Sequence, residues 1–391
     1  MMRNLLKIVT LFIFSSSALA VDYFWTNGSG DHIFTRGSNW YDTADGVTWA
    51  TTDNFDVSYG TDQYAVIDAN AKGATLRIAK TAGNTGEVHV TGGKSLFGSS
   101  FAIAGGSSTS YGKLVVSGGE IGFPNSYSTI GDAGTAEMVV SGGKFYGNRL
   151  ILGGQAGSSG SLNLTGGLIE MSTYLNGGSN GIGNINISGG TMKFNRATLG
   201  DMGTATGNLV LSGTGIINID TYLSVGNAGH GTLEINGGAI NADRLNAGSQ
   251  AGSLGTVALK GGKLNLASYI NLGQLGQADF IIEGDAAKMH CNNLTVGPTS
   301  ELHFILNGSS GVGMGCEIYD GNATLYGLVD ASFKSGTTKG GSYLAISTTG
   351  KIVDSCTPGI LTSSSISNGW QSEIASASPG QITADLSRKW K

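Results

Sequence analysis

The chain has 391 residues, of which 40% are hydrophobic and 13% charged, with 66 glycines against 4 prolines. Its 22 Lys and Arg stand against 27 Asp and Glu for a net charge of −5, and no basic run occurs, so nucleic acid, which needs clustered cations for its phosphates, is not an expected partner. Glycine at more than twice its usual share of about 7%, with no collagen period and in a chain too apolar for a disordered linker, implies regularly spaced turns.

Residues 1–20, MMRNLLKIVTLFIFSSSALA, carry Arg3 and Lys7, then the apolar run Ile8 to Phe14, then Ala18-Leu19-Ala20. That order is a secretory signal peptide with cleavage expected after Ala20. The apolar segment is too short to span a bilayer, and no longer apolar run follows it. The mature chain is therefore expected to be exported and soluble, with no transmembrane segment, and to be found secreted, extracellular or at the cell surface. Losing the two signal cations leaves 20 Lys and Arg against 27 acids, a charge of about −7 by formal count.

Residues 21–75 concentrate aromatics: Tyr23, Phe24, Trp25, Phe34, Trp40, Tyr41, Trp49, Phe55, Tyr59 and Tyr64. One reading is an N-terminal cap over the first open layer of a sheet structure and its unpaired strand edges. The other is a sugar-stacking platform, with Trp25, Trp40 and Trp49 as the glycan contacts.

Residues 76–299 are a repeat. The first glycines of its breaks are Gly92, Gly118, Gly142, Gly166, Gly189, Gly213, Gly237, Gly261 and Gly284, spaced 23 to 26 apart with a mean of 24, which signals a stacked-coil architecture. Four and two residues before each break stand large apolar residues, from Val88/Val90 through Leu162/Leu164 and Leu233/Ile235 to Phe280/Ile282. This alternation is the period of a half-buried strand. Three residues after the break, Ile121, Phe145, Ile169, Met192, Ile216, Ile240 and Leu264 start a second inward-facing strand, and a third ends at Ile130, Leu152, Leu199, Val225, Leu272 and Val296, each followed by glycine. Three short strands and three turns per unit predict an all-β right-handed parallel β-helix, a solenoid of about nine coils. At about 4.8 Å per coil the rod would be near 43 Å long. A lone coil buries too little to stand, so neighbours and end caps are required. The leucine-rich pattern, the length of a propeller blade and the G-G-x-G-x-D of a calcium-binding roll are all missing.

The units G-x-L-x-[IVL]-[ST]-G-G-x-[IFM] and the L-x-[VLI]-G endings, over about Gly86 to Gly297, resemble the β-strand repeats of autotransporter-type passenger proteins and related bacterial exported repeat proteins. Trp25 to Asp42, WTNGSGDHIFTRGSNWYD, is similar to the aromatic, glycine-rich opening that often precedes such repeats. The resemblance implies a right-handed β-helix, export, and a role in adhesion or surface coating. About 94 residues follow Gly297, too few for the long β-barrel translocator of a complete autotransporter, so self-translocation is not expected. In residues 300–391 the segments LHFIL, ATLYGLV, SYLAIS and KIV follow a longer rhythm and read as a C-terminal β-rich cap. Cys291, Cys316 and Cys356 all fall in the last quarter; one disulfide is expected at most, and its pairing is open.

Charged residues in register predict neutralised stacks rather than a catalytic cluster. Lys94, Glu120 and Lys144 recur two residues after the break, Arg196, Asp220 and Arg244 seven after it with Arg149 nearby, and Glu170 is followed by Lys193. Opposite charges on neighbouring coils are the pairing a sheet tolerates best. Thr91, Ser117, Ser141, Thr165, Ser188 and Ser212 predict hydroxyl ladders. The column His89, Val115, Val139, Asn163, Asn186, Val210, Glu234, Ala258 and Ile281 is a mild outward face on which self-association or a second chain could dock. The five histidines, His290-Cys291 included, lack zinc-ligand spacing, and no nucleophile elbow, Walker loop or H-E-x-x-H occurs. No catalytic residue, metal or cofactor is therefore expected. The leading expectation is a secreted, non-enzymatic adhesin, surface or matrix scaffold that meets a cell-surface or matrix polysaccharide or protein. The alternative is a carbohydrate-active protein: a glycan binder through Trp25, Trp40 and Trp49, or a polysaccharide lyase on the outer face.

Overall fold

A computed structural model describes residues 21–41, 49–58, 64–284, 286–306, 315–318, 321–333, 341–348, 351–354, 361–363, 370–378 and 381–388. The expected signal peptide lies outside the described residues. The chain winds as a right-handed parallel β-solenoid with a repeat of about 24 residues and an aromatic cluster at its N-terminal end.

Three ladders run the length of the molecule, each with its strands parallel and in register from coil to coil. The first links thirteen successive strands, from Ala65–Ile67 through Thr85–Val90 and Tyr111–Val116 to Leu328–Phe333 and Leu361–Ser363. The third begins in the aromatic segment itself, where Asp22–Phe24 pairs with Asn54–Val57 and that strand with Lys72–Ile78. The end segments therefore belong to the ladder. Although the sequence rhythm changes after residue 299, Glu301–Leu306, Gly315–Ile318 and Ala323–Leu325 continue the three ladders. Only at the far end does the direction reverse: Gln381–Arg388 runs antiparallel to both Trp370–Ser378 and Gly341–Thr348.

The alternation read from the sequence places the core. All eighteen apolar residues before the glycine breaks, Val88/Val90 to Phe280/Ile282, are buried to within 2% of full burial. Along the axis the filling changes character. Phe97, Phe101, Phe123 and Phe145 stack from coil to coil with ring centroids 4.5 to 5.8 Å apart, and aliphatic side chains dominate further on.

Ile216 corrects the sequence reading. It is 39% exposed, and its neighbour Ile217 takes the inward place opposite Met192. This break reads Gly213-Thr214-Gly215 where others have a glycine pair, and one extra residue moves a strand's whole side-chain set to the opposite face. The Ser/Thr column also differs from expectation. Ser117 and Ser212 donate their hydroxyls to the carbonyls of Val90 and Ile187 on the preceding coil, so these side chains support the backbone ladder rather than bonding each other.

The glycine pairs are needed for two separate reasons, visible at Gly142-Gly143. Gly143 has φ +64, in the left-handed region that glycine enters without steric cost. A Cβ on Gly142 would lie 2.4 Å from the carbonyl oxygen of Ser117 on the coil below. Gly157 also has a positive φ, of +82, but nothing lies within 4 Å of its Cβ position. Gly142→Ala is therefore expected to destabilise the fold by about 1–3 kcal/mol through overpacking, and Gly157→Asn by well under that, since Asn tolerates this backbone. Equal urea midpoints for the two variants would contradict this account of the turns.

Candidate functional site

Packing at the N-terminal end decides what its tryptophans can do. Trp25, Trp40 and Trp49 are 1%, 2% and 7% exposed. Phe34 sits at the centre of the group, edge-on to Trp40 at 4.9 Å and to Trp49 at 5.6 Å, while Trp25 meets Trp40 edge-on at 5.0 Å. Phe55 packs against Trp40 and Trp49, each at 5.0 Å, and the Trp40 indole donates to the Phe34 carbonyl at 2.8 Å. Trp25, Trp40 and Trp49 therefore present no open platform of ring faces for sugar stacking. The rings close the first layer, where aromatic bulk covers the most apolar surface per residue.

Trp49 also borders a cavity of about 510 Å³ lined by Thr35, Trp49, Asn70, Ala71, Lys72, Lys94 and Leu96, a size within the usual range of small-ligand sites. The indole N–H of Trp49 is buried and has no hydrogen-bond partner among the described residues.

A polar knot ties this end together. Asp31 Oδ1 accepts from Ser29 Oγ and Asn39 Nδ2, both at 2.7 Å, and from the Ile33 N–H at 3.1 Å, and Arg36 pairs with its other oxygen at 2.8 Å. Desolvation pushes the Asp31 carboxyl upward, but these hydrogen bonds and the Arg36 charge outweigh it and hold the group at about 2, below its ordinary 3.8. Nearby, the His32, Tyr64 and His89 rings stack at 4.3 and 4.7 Å, and His89 bonds Glu87 at 2.6 Å.

Outward side chains form columns, as register requires, and most charged columns neutralise themselves. Lys94 pairs with Glu120 at 3.2 Å, and Glu170 pairs with Lys144 at 2.7 Å and with Lys193 at 3.8 Å; the Lys144 and Lys193 contacts hold the Glu170 carboxyl below its ordinary value. Glu87, Lys113 and Glu137 form a further column that the sequence reading did not single out. Asparagines stack likewise. Asn208 donates to Asn184 at 2.9 Å, Asn241 to Asn218 at 2.9 Å and Asn265 to Asn241 at 2.8 Å, the side-chain amide ladder familiar from in-register sheets.

The expected Arg196–Asp220–Arg244 stack does not form. Counting seven residues from the glycine puts Asp220 in this column, but the chain takes a longer path to the corner in that coil, and strand pairing brings Tyr222 opposite Arg244. What forms is an alternation of aromatic and cation. Arg149 pairs in register with Tyr127 and Tyr174, and Tyr174 with Arg196. The Arg149 guanidinium lies 4.2 Å from the Tyr127 ring centroid and 4.7 Å from that of Tyr174, Arg196 lies 5.0 Å from Tyr174, and Arg244 lies 5.7 and 5.8 Å from Tyr222 and Tyr269. All are within the range of cation–π attraction. Arg149 Nη1 donates to the hydroxyls of both Tyr127 and Tyr174.

The residue before each ladder member alternates in step. Thr173 donates its hydroxyl to the carbonyl and side-chain oxygens of Asn148 at 2.7 and 2.8 Å, Thr221 to the Asn195 carbonyl at 2.8 Å and Ser268 to the Asp243 carboxylate at 2.5 Å. Ser126-Tyr127, Asn148-Arg149, Thr173-Tyr174, Asn195-Arg196, Thr221-Tyr222, Asp243-Arg244 and Ser268-Tyr269 thus define a period of two coils. That doubled period stands in the sequence and is the signal by which the ladder could have been found.

Cys291 faces inward and carries a free thiol, which burial pushes up to about 12. Among the described residues no group of three or more His, Cys, Asp or Glu is placed to hold a metal ion, and no helix is long and apolar enough to cross a membrane. The chain matches no protein-family model, no curated protein and no solved structure in the comparisons made.

Asp31→Ala is expected to lower the melting temperature at neutral pH. A carboxyl held below its ordinary value stabilises the fold above that value and ceases to do so as it is protonated, so the difference from the parent should shrink from about pH 4 and vanish towards about pH 2. A deficit of constant size across that range would show that the Asp31 charge is not what ties the knot.

Proposed function

We propose that this protein is exported and acts outside the cell as a non-enzymatic parallel β-helix of the passenger type, an adhesin or a surface or matrix scaffold. The observation that carries this reading is the uninterrupted ladder, which repeats each outward side chain along a straight line from coil to coil. A surface of aligned columns suits repeated contacts with an extended partner, in which many weak contacts sum by proximity. The signal-like residues 1–20 supply the route, and the low charge and glycine-rich coils agree with the repeats of exported bacterial proteins.

Fractionation of the producing cell tests this directly. The mature chain, beginning at Val21, is expected in the medium, envelope or matrix, with no release of unsaturated uronate from polysaccharides incubated with it. Retention in the cytoplasm with residues 1–20 still attached would overturn the assignment, and unsaturated products would replace the scaffold with a lyase.

The cavity beside Trp49 favours a second reading, glycan binding at the aromatic end. Leu96 is an exposed apolar residue on its rim. Leu96→Arg is expected to abolish any glycan-array signal that belongs to this site while leaving the melting temperature unchanged. A signal that survives the substitution would place glycan recognition elsewhere.

A further inference from the structure

We propose that the tyrosine–arginine ladder is a docking line for a linear acidic polysaccharide lying parallel to the solenoid axis, its anionic groups meeting Arg149, Arg196 and Arg244 in turn. The inference deepens the scaffold reading by naming the chemistry of the partner, and it rests on that reading for its setting outside the cell.

Charge accounting sets this column apart from most others, although Lys263 and Lys288, stacked in register on the neighbouring face, also lack an ion pair among the described residues. On the neighbouring face the lysines at Lys94, Lys144 and Lys193 each have a glutamate within ion-pair distance, and Lys113 and Lys260 on the first face do as well. Among the described residues no carboxylate comes within ion-pair distance of Arg149, Arg196 or Arg244. Three unneutralised guanidiniums in one line, on a chain whose net charge is −5, form a local exception to the charge of the whole. The repulsion of distant acids is screened beyond a Debye length of about 8 Å at physiological salt, which leaves the contact charges to act.

The rings hold these cations ready. Each guanidinium is laid against one or two tyrosines, so little side-chain freedom remains to be lost when a ligand arrives. Arg149 and Arg244 are half-buried, and Arg196, with a ring on one side, is the most exposed of the three. A guanidinium fork matches a carboxylate or sulfate in geometry as well as in sign.

Spacing selects a polysaccharide. The arginines recur every second coil, about 10 Å apart at roughly 4.8 Å per coil, and the line from Tyr127 to Tyr269 spans about 29 Å. An extended polysaccharide with one anionic group per disaccharide repeats on the same scale. A nucleic-acid strand carries a charge about every 3.4 Å along its axis, so most of its phosphates would go unmet. Tyrosines whose faces are taken by guanidinium offer little to a neutral glycan, which would need an open ring face.

Binding of the purified full chain to immobilised hyaluronan oligosaccharides, with one carboxylate per disaccharide, tests the proposal. A sulfated polysaccharide distinguishes sulfate from carboxylate, and neutral dextran serves as the control. The parent is expected to bind at least one of the two acidic probes and not dextran, with affinity falling as salt rises. Arg196→Gln should weaken binding about tenfold with an unchanged melting temperature, and the triple change of Arg149, Arg196 and Arg244 to Gln should abolish it. The triple change to Lys, which keeps charge and loses the planar fork, should retain part of the affinity and its salt dependence. Equal affinity in the parent and a folded triple Gln variant would overturn the proposal. So would equal binding to dextran, or no binding by the parent together with a lowered melting temperature in the variants, which would make the ladder a structural brace. If sedimentation shows the parent self-associating and the triple Gln variant monomeric, with no binding to either acidic probe, the occupant is a second copy and the polysaccharide assignment falls. The assay uses protein in solution, so its outcome is independent of whether the chain proves to be exported.

Discussion

Everything in this molecule follows from backbone hydrogen bonding between one coil and the next. Because each strand pairs in parallel with its equivalents above and below, any residue stands one strand spacing, about 4.8 Å, from its counterparts. Identity at a position is then multiplied along the axis. An apolar residue becomes a filament of core, an asparagine becomes an amide ladder, and a lysine must find its acid on a neighbouring coil or remain unneutralised. The glycines protect this pairing, since at Gly142 the carbonyl of the coil below comes closer than any side chain could permit.

The core also has a direction. Aromatic filling at the N-terminal end, from Trp25, Phe34, Trp40 and Phe55 through Phe97 to Phe145, gives way to leucine, isoleucine and valine. Among the described residues no coil precedes this layer, and large rings cover its face with the fewest ordered residues. The tryptophans that suggest sugar stacking in the sequence are thus engaged in closing the end of the rod. The ladder that remains available on the outside is built from tyrosine and arginine, residues that favour interfaces because they combine area with donors in fixed geometry.

Period and alternation were legible because they are consequences of the backbone. Leu233, Ile235 and Ile240 face inward as the spacing to Gly237 implies, and Lys94 meets Glu120 as their shared offset implies. A count from the glycine loses register past an insertion. Ile216 and Asp220 both follow the longer Gly213-Thr214-Gly215 turn, and Ile217 and Tyr222 occupy the columns that the count gives them. The ladder is hidden from charge pattern for a second reason: the partner of each arginine is a neutral ring. Trp25, Trp40 and Trp49 were ambiguous because an indole serves equally well as a cap and as a platform, and only packing separates the two.

The reversal of direction at the C-terminal end bears on the size of the particle. A parallel stack ends in a strand edge that matches the beginning of another copy, which invites growth by head-to-tail addition. Here Gln381–Arg388 lies antiparallel on Gly341–Thr348 and is itself backed by Trp370–Ser378, so the groups that an incoming coil would use on that strand are already engaged, and by a chain of opposite polarity. On that one of the three ladders an incoming parallel coil would meet strands of the wrong polarity, so in-register addition is blocked there.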